Sequence, residues 1–185
     1  MSVFTNPASA SVEQASEYIA AILGLLGDQR PLDVLPRTET ALRQRIAGHK
    51  RELLTWPEAP GKWSVAQVLQ HLADSDLVWG YRLRMVLAHD RPALTGYDQD
   101  AWAERLRYGD ADPEQALQDF SVLRRANLSL LERAAPEDLK RVGVHNERGE
   151  ESVEHMMRLY AGHDLLHLRQ IDRILNASRN VSHTG

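Results

Sequence analysis

Apolar side chains recur at three- and four-residue steps along four stretches of the chain, and residues that start or stop helices bound each stretch. In the first, Ser11 and Gln14 have the spacing of a capping box, Ala15, Ile19, Ile22 and Leu26 form the stripe, and Gly27 is placed to end it. The second has the clearest start. Trp63 precedes Ser64, Gln67 completes a capping box, and Trp63 can staple against Val68; Val65, Val68, Leu69, Leu72, Trp79, Leu83, Val86 and Leu87 carry the stripe over residues 64–89. Asp112, Pro113 and Gln115 supply the cap, first-turn proline and box partner of the third, which presents Leu117, Phe120, Leu123, Leu130 and Leu131 and stops before Pro136. The fourth covers residues 152–177, after a turn-like segment at 146–149. Shorter helical pieces are predicted at 38–47 and 99–107. No stretch combines the period-two alternation and turn spacing of a strand pair, so the chain reads as all-α.

Four amphipathic helices bury their stripes most simply as a four-helix bundle. The connection at residues 90–112 is far longer than antiparallel neighbours need. At about 3.3 Å per extended residue it can run the length of a helix of roughly 40 Å, which predicts parallel second and third helices. The expected order is therefore up-down-down-up, with a long crossover between helices two and three. A single domain over residues 1–185 is expected, with residues 1–10 and 178–185 as tails.

Composition narrows the chemistry. With 43% hydrophobic and 26% charged residues the chain has the balance of a globular protein, and a net charge of -4 gives no basic footprint for nucleic acid. Residues 1–10 carry no basic start to a targeting signal, and the longest apolar stretch, 18–26, is too short to span a bilayer, so no membrane partner and a cytoplasmic location are expected. There is no cysteine, which leaves histidine and carboxylates as metal ligands. Histidine is in surplus, at 8 residues.

Two of those histidines interrupt a core stripe. On the last helix Val153, Met156, Tyr160, His163, His167, Ile171 and Ile174 follow one another at three- or four-residue steps. A lone histidine on such a face is usually a hydrogen-bonded core residue. Two at i and i+4 share a face with Cβ atoms about 6 Å apart, from which both imidazoles can reach one ion. A chance pair at this spacing is common, so the neighbours matter. On the second helix His71 lies at the margin of the stripe, and Asp76 lies on it between Leu72 and Trp79. A buried carboxylate needs a partner such as an imidazole N–H or an arginine. His49, His89 and His183 fall in or beside loops, and His155 faces away from the core stripe. His145, in His-Asn-Glu-Arg-Gly, suits a turn role as well as a chemical one.

The run Gly-Lys-Trp-Ser-Val-Ala-Gln-Val-Leu-Gln-His-Leu-Ala-Asp at 61–74, Tyr-Asp-Gln-Asp-Ala-Trp at 97–102 and Ala-Gly-His-Asp-Leu-Leu-His-Leu-Arg-Gln at 161–170 together resemble the DinB-like (YfiT-like) metalloenzyme superfamily, over roughly residues 32–175. The resemblance implies an up-down-down-up four-helix bundle and a three-histidine site for one divalent metal, which maps onto His71, His163 and His167. It implies two kinds of activity: metal-dependent hydrolysis, and transfer or isomerisation with a low-molecular-weight thiol as cosubstrate.

Three neutral imidazoles leave a coordination position open, as in catalytic rather than structural zinc sites. Nickel and zinc are the metals expected first, since imidazole suits both. Asp76 and Asp164 are candidates to orient the imidazoles, and Asp98, Trp102, Tyr108 and Tyr160 are candidates to line the substrate pocket. The first expectation is a small-molecule metalloenzyme, a thiol-dependent S-transferase or isomerase, with a metal-dependent hydrolase as its alternative. A non-catalytic bundle stabilised by its ion is the alternative from another class. The expected partners are a small-molecule substrate and, at the protein level, a second copy forming a homodimer.

Overall fold

The computed structural model describes the backbone of residues 12–181 and the side chains of residues 16–178. In chain order the helices are α1 (Val12–Leu26), α2 (Pro31–Val34), α3 (Thr38–Ile46), α4 (Arg51–Leu54), α5 (Val65–Ala88), α6 (Gln99–Arg105), α7 (Pro113–Glu132) and α8 (Val153–Val181). A 3-10 turn, Leu35–Arg37, joins α2 to α3, and three short strands are β1 (Ala93–Leu94), β2 (Val142–His145) and β3 (Gly149–Ser152).

Helix starts follow the local signals. The Ser64 side chain accepts from Gln67 N while the Gln67 side chain accepts from Ser64 N, the reciprocal box that satisfies two orphan donors at the head of α5. Asp112 caps α7 through the amides of Glu114 and Gln115, with Pro113 in the first turn. Gly27 sits at φ +55° after α1 and donates to Leu23 O, a left-handed stop. The proposed cap at Ser11 and Gln14 and the side chain of Ala15 lie outside the described residues. Helix α8 runs four residues past the expected end and into the expected tail, since neither Gly nor Pro follows Ala177 until Gly185.

Two apolar clusters fix the directions. Near one end, Val65 to Ala73 of α5 pack with Ala116 to Phe120 of α7, Leu168 to Leu175 of α8, and Leu42 and Ile46 of α3. Near the other, Trp79 to Val86 pack with Leu131, with Val153 to Ala161, and with Val34 and Leu35. Helices α5 and α7 therefore run in parallel, and α8 and the α2–α3 segment run against them, giving the up-down-down-up four-helix bundle. The first bundle helix differs from the reading of the sequence. It is the broken segment 31–46, interrupted at Pro36, whereas α1 packs along α8 as a fifth helix through Ile22 and Leu26. Its stripe looked like a bundle helix because lying on another helix needs the same periodicity.

A three-stranded sheet of order β1-β2-β3 supplements the all-α reading. Strands β2 and β3 form a hairpin around 146–148 that closes on Gly149 at φ +78°, and β1 from the crossover pairs parallel to β2. These strands are too short, and β3 too acidic, for a periodic signal. No helix among the described residues is long and apolar enough to cross a membrane.

Candidate metal centre

His71 lies two turns into α5 on its inward face, and His163 and His167 lie one turn apart on the inward face of α8. Packing of α5 against α8 brings the three rings together. His163 Nε2 stands 3.1 Å from His71 Nε2 and 3.1 Å from His167 Nε2, and one ring nitrogen from each residue fits within a span of 4.8 Å. Among the described residues no carboxylate joins this group.

Burial holds all three imidazoles neutral at pH 7. His71 and His163 are lowered well below the ordinary histidine value, first by loss of hydration and then by neighbouring imidazoles, with Arg124 adding to the effect at His163. His167 is lowered to about 4 by the same desolvation, partly opposed by Gln170 and Asp164. Gln170 Oε1 accepts from His167 Nδ1 at 2.8 Å, which places the proton on Nδ1 and the lone pair of Nε2 toward its partners. Three neutral nitrogens, with His163 Nε2 at 3.1 Å from each of the other two, suit a cation. Donors on one ion with bonds of about 2.0–2.1 Å lie roughly 2.9–3.4 Å apart in octahedral or tetrahedral arrangements. The donor set therefore fits a divalent metal.

One turn deeper, Arg124 of α7 ties the bundle together. All five of its N–H groups are used: on both oxygens of Asp76 (3.0 and 2.7 Å), both oxygens of Asp164 (2.5 and 3.0 Å) and Leu35 O (3.0 Å). Its guanidinium also lies 4.6 Å from the ring centre of Phe120. Thr38 donates to Asp164, and Asn127 donates to Asp76. Asp76 and Asp164 thus bond an arginine rather than an imidazole, and the Nδ1 atoms of His71 and His163 are buried without a partner among the described residues. The carboxylates affect the centre by fixing the helices that carry it. This network was missed although its signal was present, since Arg124 and Asn127 stand in step with Leu117, Phe120 and Leu131 on the stripe of α7.

Two cavities reach the histidines. A small one of about 70 Å³ is bounded by His71 and His163, with Ser75, Arg82, Tyr97 and Tyr160 among its walls and Tyr18, Ile19 and Ile22 of α1 across its mouth. A wider one of about 790 Å³ reaches His167 past Trp63, Lys62, Arg169 and Arg173. Of the expected pocket residues, Tyr160 lines the first cavity and stacks on Trp79 at 4.7 Å. Asp98 instead caps α6 through the amides of Asp100 and Ala101, and the neighbouring Gln99 lines both cavities. Trp102 packs on Tyr97 at 4.4 Å, behind the wall. Tyr108 is buried, donates to Asp74 and meets Trp63, which in turn lies 5.2 Å from the His71 ring. Both side chains stand behind the lining because the crossover presents Tyr97 and Gln99 to the bundle. His145 is buried in β2 and lies in neither cavity wall, while His49 is half-buried, His89 exposed and His183 outside the described residues.

The sequence profile of the DinB superfamily matches residues 35–171, from the first bundle helix to just past the last of the three histidines. The chain belongs to the DinB superfamily. Similar proteins include candidate metal-dependent hydrolases from Oceanobacillus iheyensis, 31% identical over 140 residues (76% of this chain and 79% of that one), and Geobacillus thermodenitrificans, 31% identical over 139 residues (75% and 71%). YfiT from Bacillus subtilis, also a candidate metal-dependent hydrolase, is 29% identical over 144 residues (77% and 81%). The solved structure of YfiT, described as having an unusual four-helix bundle topology, superposes with a TM-score of 0.73, covering 97% of this chain and 94% of that one at 27% identity. The DinB match begins after α1, so the helix across the cavity mouth lies outside the family segment.

Proposed function

We propose that this DinB-superfamily chain holds one divalent ion on His71, His163 and His167 and hydrolyses a small molecule seated in the cavity beside them. The convergence of three neutral imidazole nitrogens within 4.8 Å, His163 standing 3.1 Å from each of the others and no carboxylate among them, carries the reading. Zinc and nickel are the proposed metals. When bound, such an ion supplies Lewis acidity that polarises a carbonyl or phosphoryl oxygen and lowers the pKa of water to about 7. The chain's own groups do the rest. Ser75 Oγ lies 3.5 Å from His71 Nε2 and 3.1 Å from the Tyr97 hydroxyl, so a hydroxyl pair stands beside the histidines to position substrate oxygen or pass a proton. Burial raises the pKa of Tyr97 and pushes that of Tyr160 up to about 12, so both phenols stay protonated and act as hydrogen-bond donors at neutral pH. Tyr18, Ile19 and Ile22 limit water at the mouth.

The wider cavity at His167 favours a second reading, thiol-dependent transfer or isomerisation. Its volume of about 790 Å³ and its cations Lys62 and Arg169, beside an Arg173 already paired with Glu58, suit an acidic thiol cosubstrate, and with no cysteine in the chain the sulfur must arrive on that cosubstrate. Elemental analysis tests the shared premise: one divalent ion per wild-type chain and none in His163→Ala is expected, and full occupancy in the mutant refutes it. Metal-loaded protein is then assayed on ester, amide and phosphoester panels beside thiol cosubstrates with electrophiles. Metal-dependent hydrolysis without thiol supports the first reading, and turnover only with a thiol replaces it with the second.

A further inference from the structure

The smaller cavity has a second chemical end. His71, Ser75 and Arg82 recur on one face of α5 at steps of four and seven, so Arg82 stands three turns beyond His71, about 16 Å along the axis. Helical side chains lean toward the helix N-terminus, which brings the guanidinium back toward the histidines, and it lines the same cavity. Arg82 is only 4% exposed. Its Nη2 donates to Thr95 O at 2.5 Å, its Nε is buried with no acceptor, and no carboxylate pairs with it among the described residues. A buried guanidinium without a counter-charge is costly, because desolvation is not offset by an ion pair.

Glu151 attracts Arg82 through space but is bonded to another arginine. Arg148, at the same end of the cavity, is already bonded through two nitrogens to the two oxygens of buried Glu151, at 2.5 and 3.0 Å. That pair is closed. The remaining walls are the amide of Gln99 and the apolar or phenolic side chains of Ile19, Ile22, Leu159, Tyr18, Tyr97 and Tyr160. The cavity therefore has imidazoles at one end and, at the other, two guanidiniums that share the one carboxylate of Glu151, which leaves a net positive charge there. At 10–15 Å³ for each water-sized group, 70 Å³ admits about five such groups.

We propose that Arg82 forms an anion subsite, so that the substrate of the centre is a small molecule with an apolar middle and a carboxylate or phosphate group remote from the bond that reacts. The identity of the reacting end rests on the metal reading above, and the anion subsite does not. Charge-assisted bonds from a guanidinium to an oxyanion are strong and directional, so the subsite would align a short chain between its two ends.

Nitrogen–proton NMR of the full chain tests this, with Arg82 Nε–Hε assigned by its loss in Arg82→Gln. Butyrate, inorganic phosphate and the neutral isostere butyramide are titrated into metal-free and zinc-loaded protein. Butyrate or phosphate is expected to shift the Arg82 resonance in both forms, butyramide to leave it in place, and Arg82→Gln to weaken binding about tenfold or more, with Arg82→Lys in between. The preferred anion distinguishes a carboxylate from a phosphate substrate. Equal response to butyrate and butyramide, no response to either anion, or undiminished binding in Arg82→Gln overturns the proposal. If Arg82→Gln does not fold, Arg82→Lys supplies the assignment and the butyrate–butyramide contrast still decides. Metal content of the same samples separates the two readings: a chain that holds zinc and ignores anions refutes only the subsite, and one that binds butyrate and holds no metal refutes only the metal centre.

Discussion

Gly162→Ala should loosen α1 and open the mouth of the cavity. In an unobstructed helix interior this change stabilises by about 0.5–1 kcal/mol, because glycine loses more backbone entropy on folding. Here a Cβ on residue 162 would stand 2.7 Å from the Ile22 carbonyl carbon, closer still to its oxygen, and 3.3 Å from Ile22 Cβ. The obstacle is backbone, which no rotamer change removes. Helix α1 must then move outward by roughly 1 Å, at the 1–3 kcal/mol typical of overpacking, while full detachment would expose Ile22 and Leu26 at about 2 kcal/mol each. The shift is the cheaper response. Set against the helix gain, the net is a destabilisation of about 1 kcal/mol, or roughly 2–4 °C in Tm for a chain of this size. Hydrogen exchange should show faster exchange for amides 19–26, with those of α5 and α7 unchanged, and a chelator should strip bound metal faster as the mouth opens. A variant with raised Tm and unchanged exchange across α1 would refute both the close approach and the role of α1 as cover.

Arg124→Met should cost about 3–5 kcal/mol in urea unfolding, because it leaves the carboxylates of Asp76 and Asp164 buried without their cation, and adding Asp76→Asn and Asp164→Asn should recover part of the loss; a neutral single mutant would contradict the network. His145 is lowered to about 4 in the folded chain, first by burial and then by Arg148 and Arg82, against the opposing pull of Glu151. As pH falls through about 6.5 the unfolded chain takes up this proton while the folded chain resists until about 4, so stability drops across that window. Urea titrations from pH 7 to 4 should show a smaller loss for His145→Gln, and equal losses would discount the buried neutral imidazole.

Much of the centre was legible in the sequence because the helical repeat does geometry by itself. Residues 163 and 167 must share a face, Ser64 and Gln67 must start a helix, and a connection as long as 90–112 lets α5 and α7 run in parallel. Other features depended on which element packs where. Periodicity said that α1 and α3 each have an apolar stripe, but packing made α3 a bundle helix and α1 a cover for the cavity. Asp98, Trp102 and Tyr108 were close in sequence to the wall, and the turn of the crossover instead gave that wall to Tyr97 and Gln99. Arg82 is separated from Arg148 by the whole of α7, and the hairpin of β2 and β3 brings them to the same cavity.

The sequence alone determined the helices, the ligand types and the shared face of two histidines, since each depends on local repeat and side-chain chemistry. Only the tertiary structure decided that Arg124 absorbs both aspartates, that His163 Nε2 comes within 3.1 Å of both other imidazoles, and that Arg82 is left without an ion pair. Those are distances and desolvation costs between residues on different elements, and they do not exist until the helices have packed.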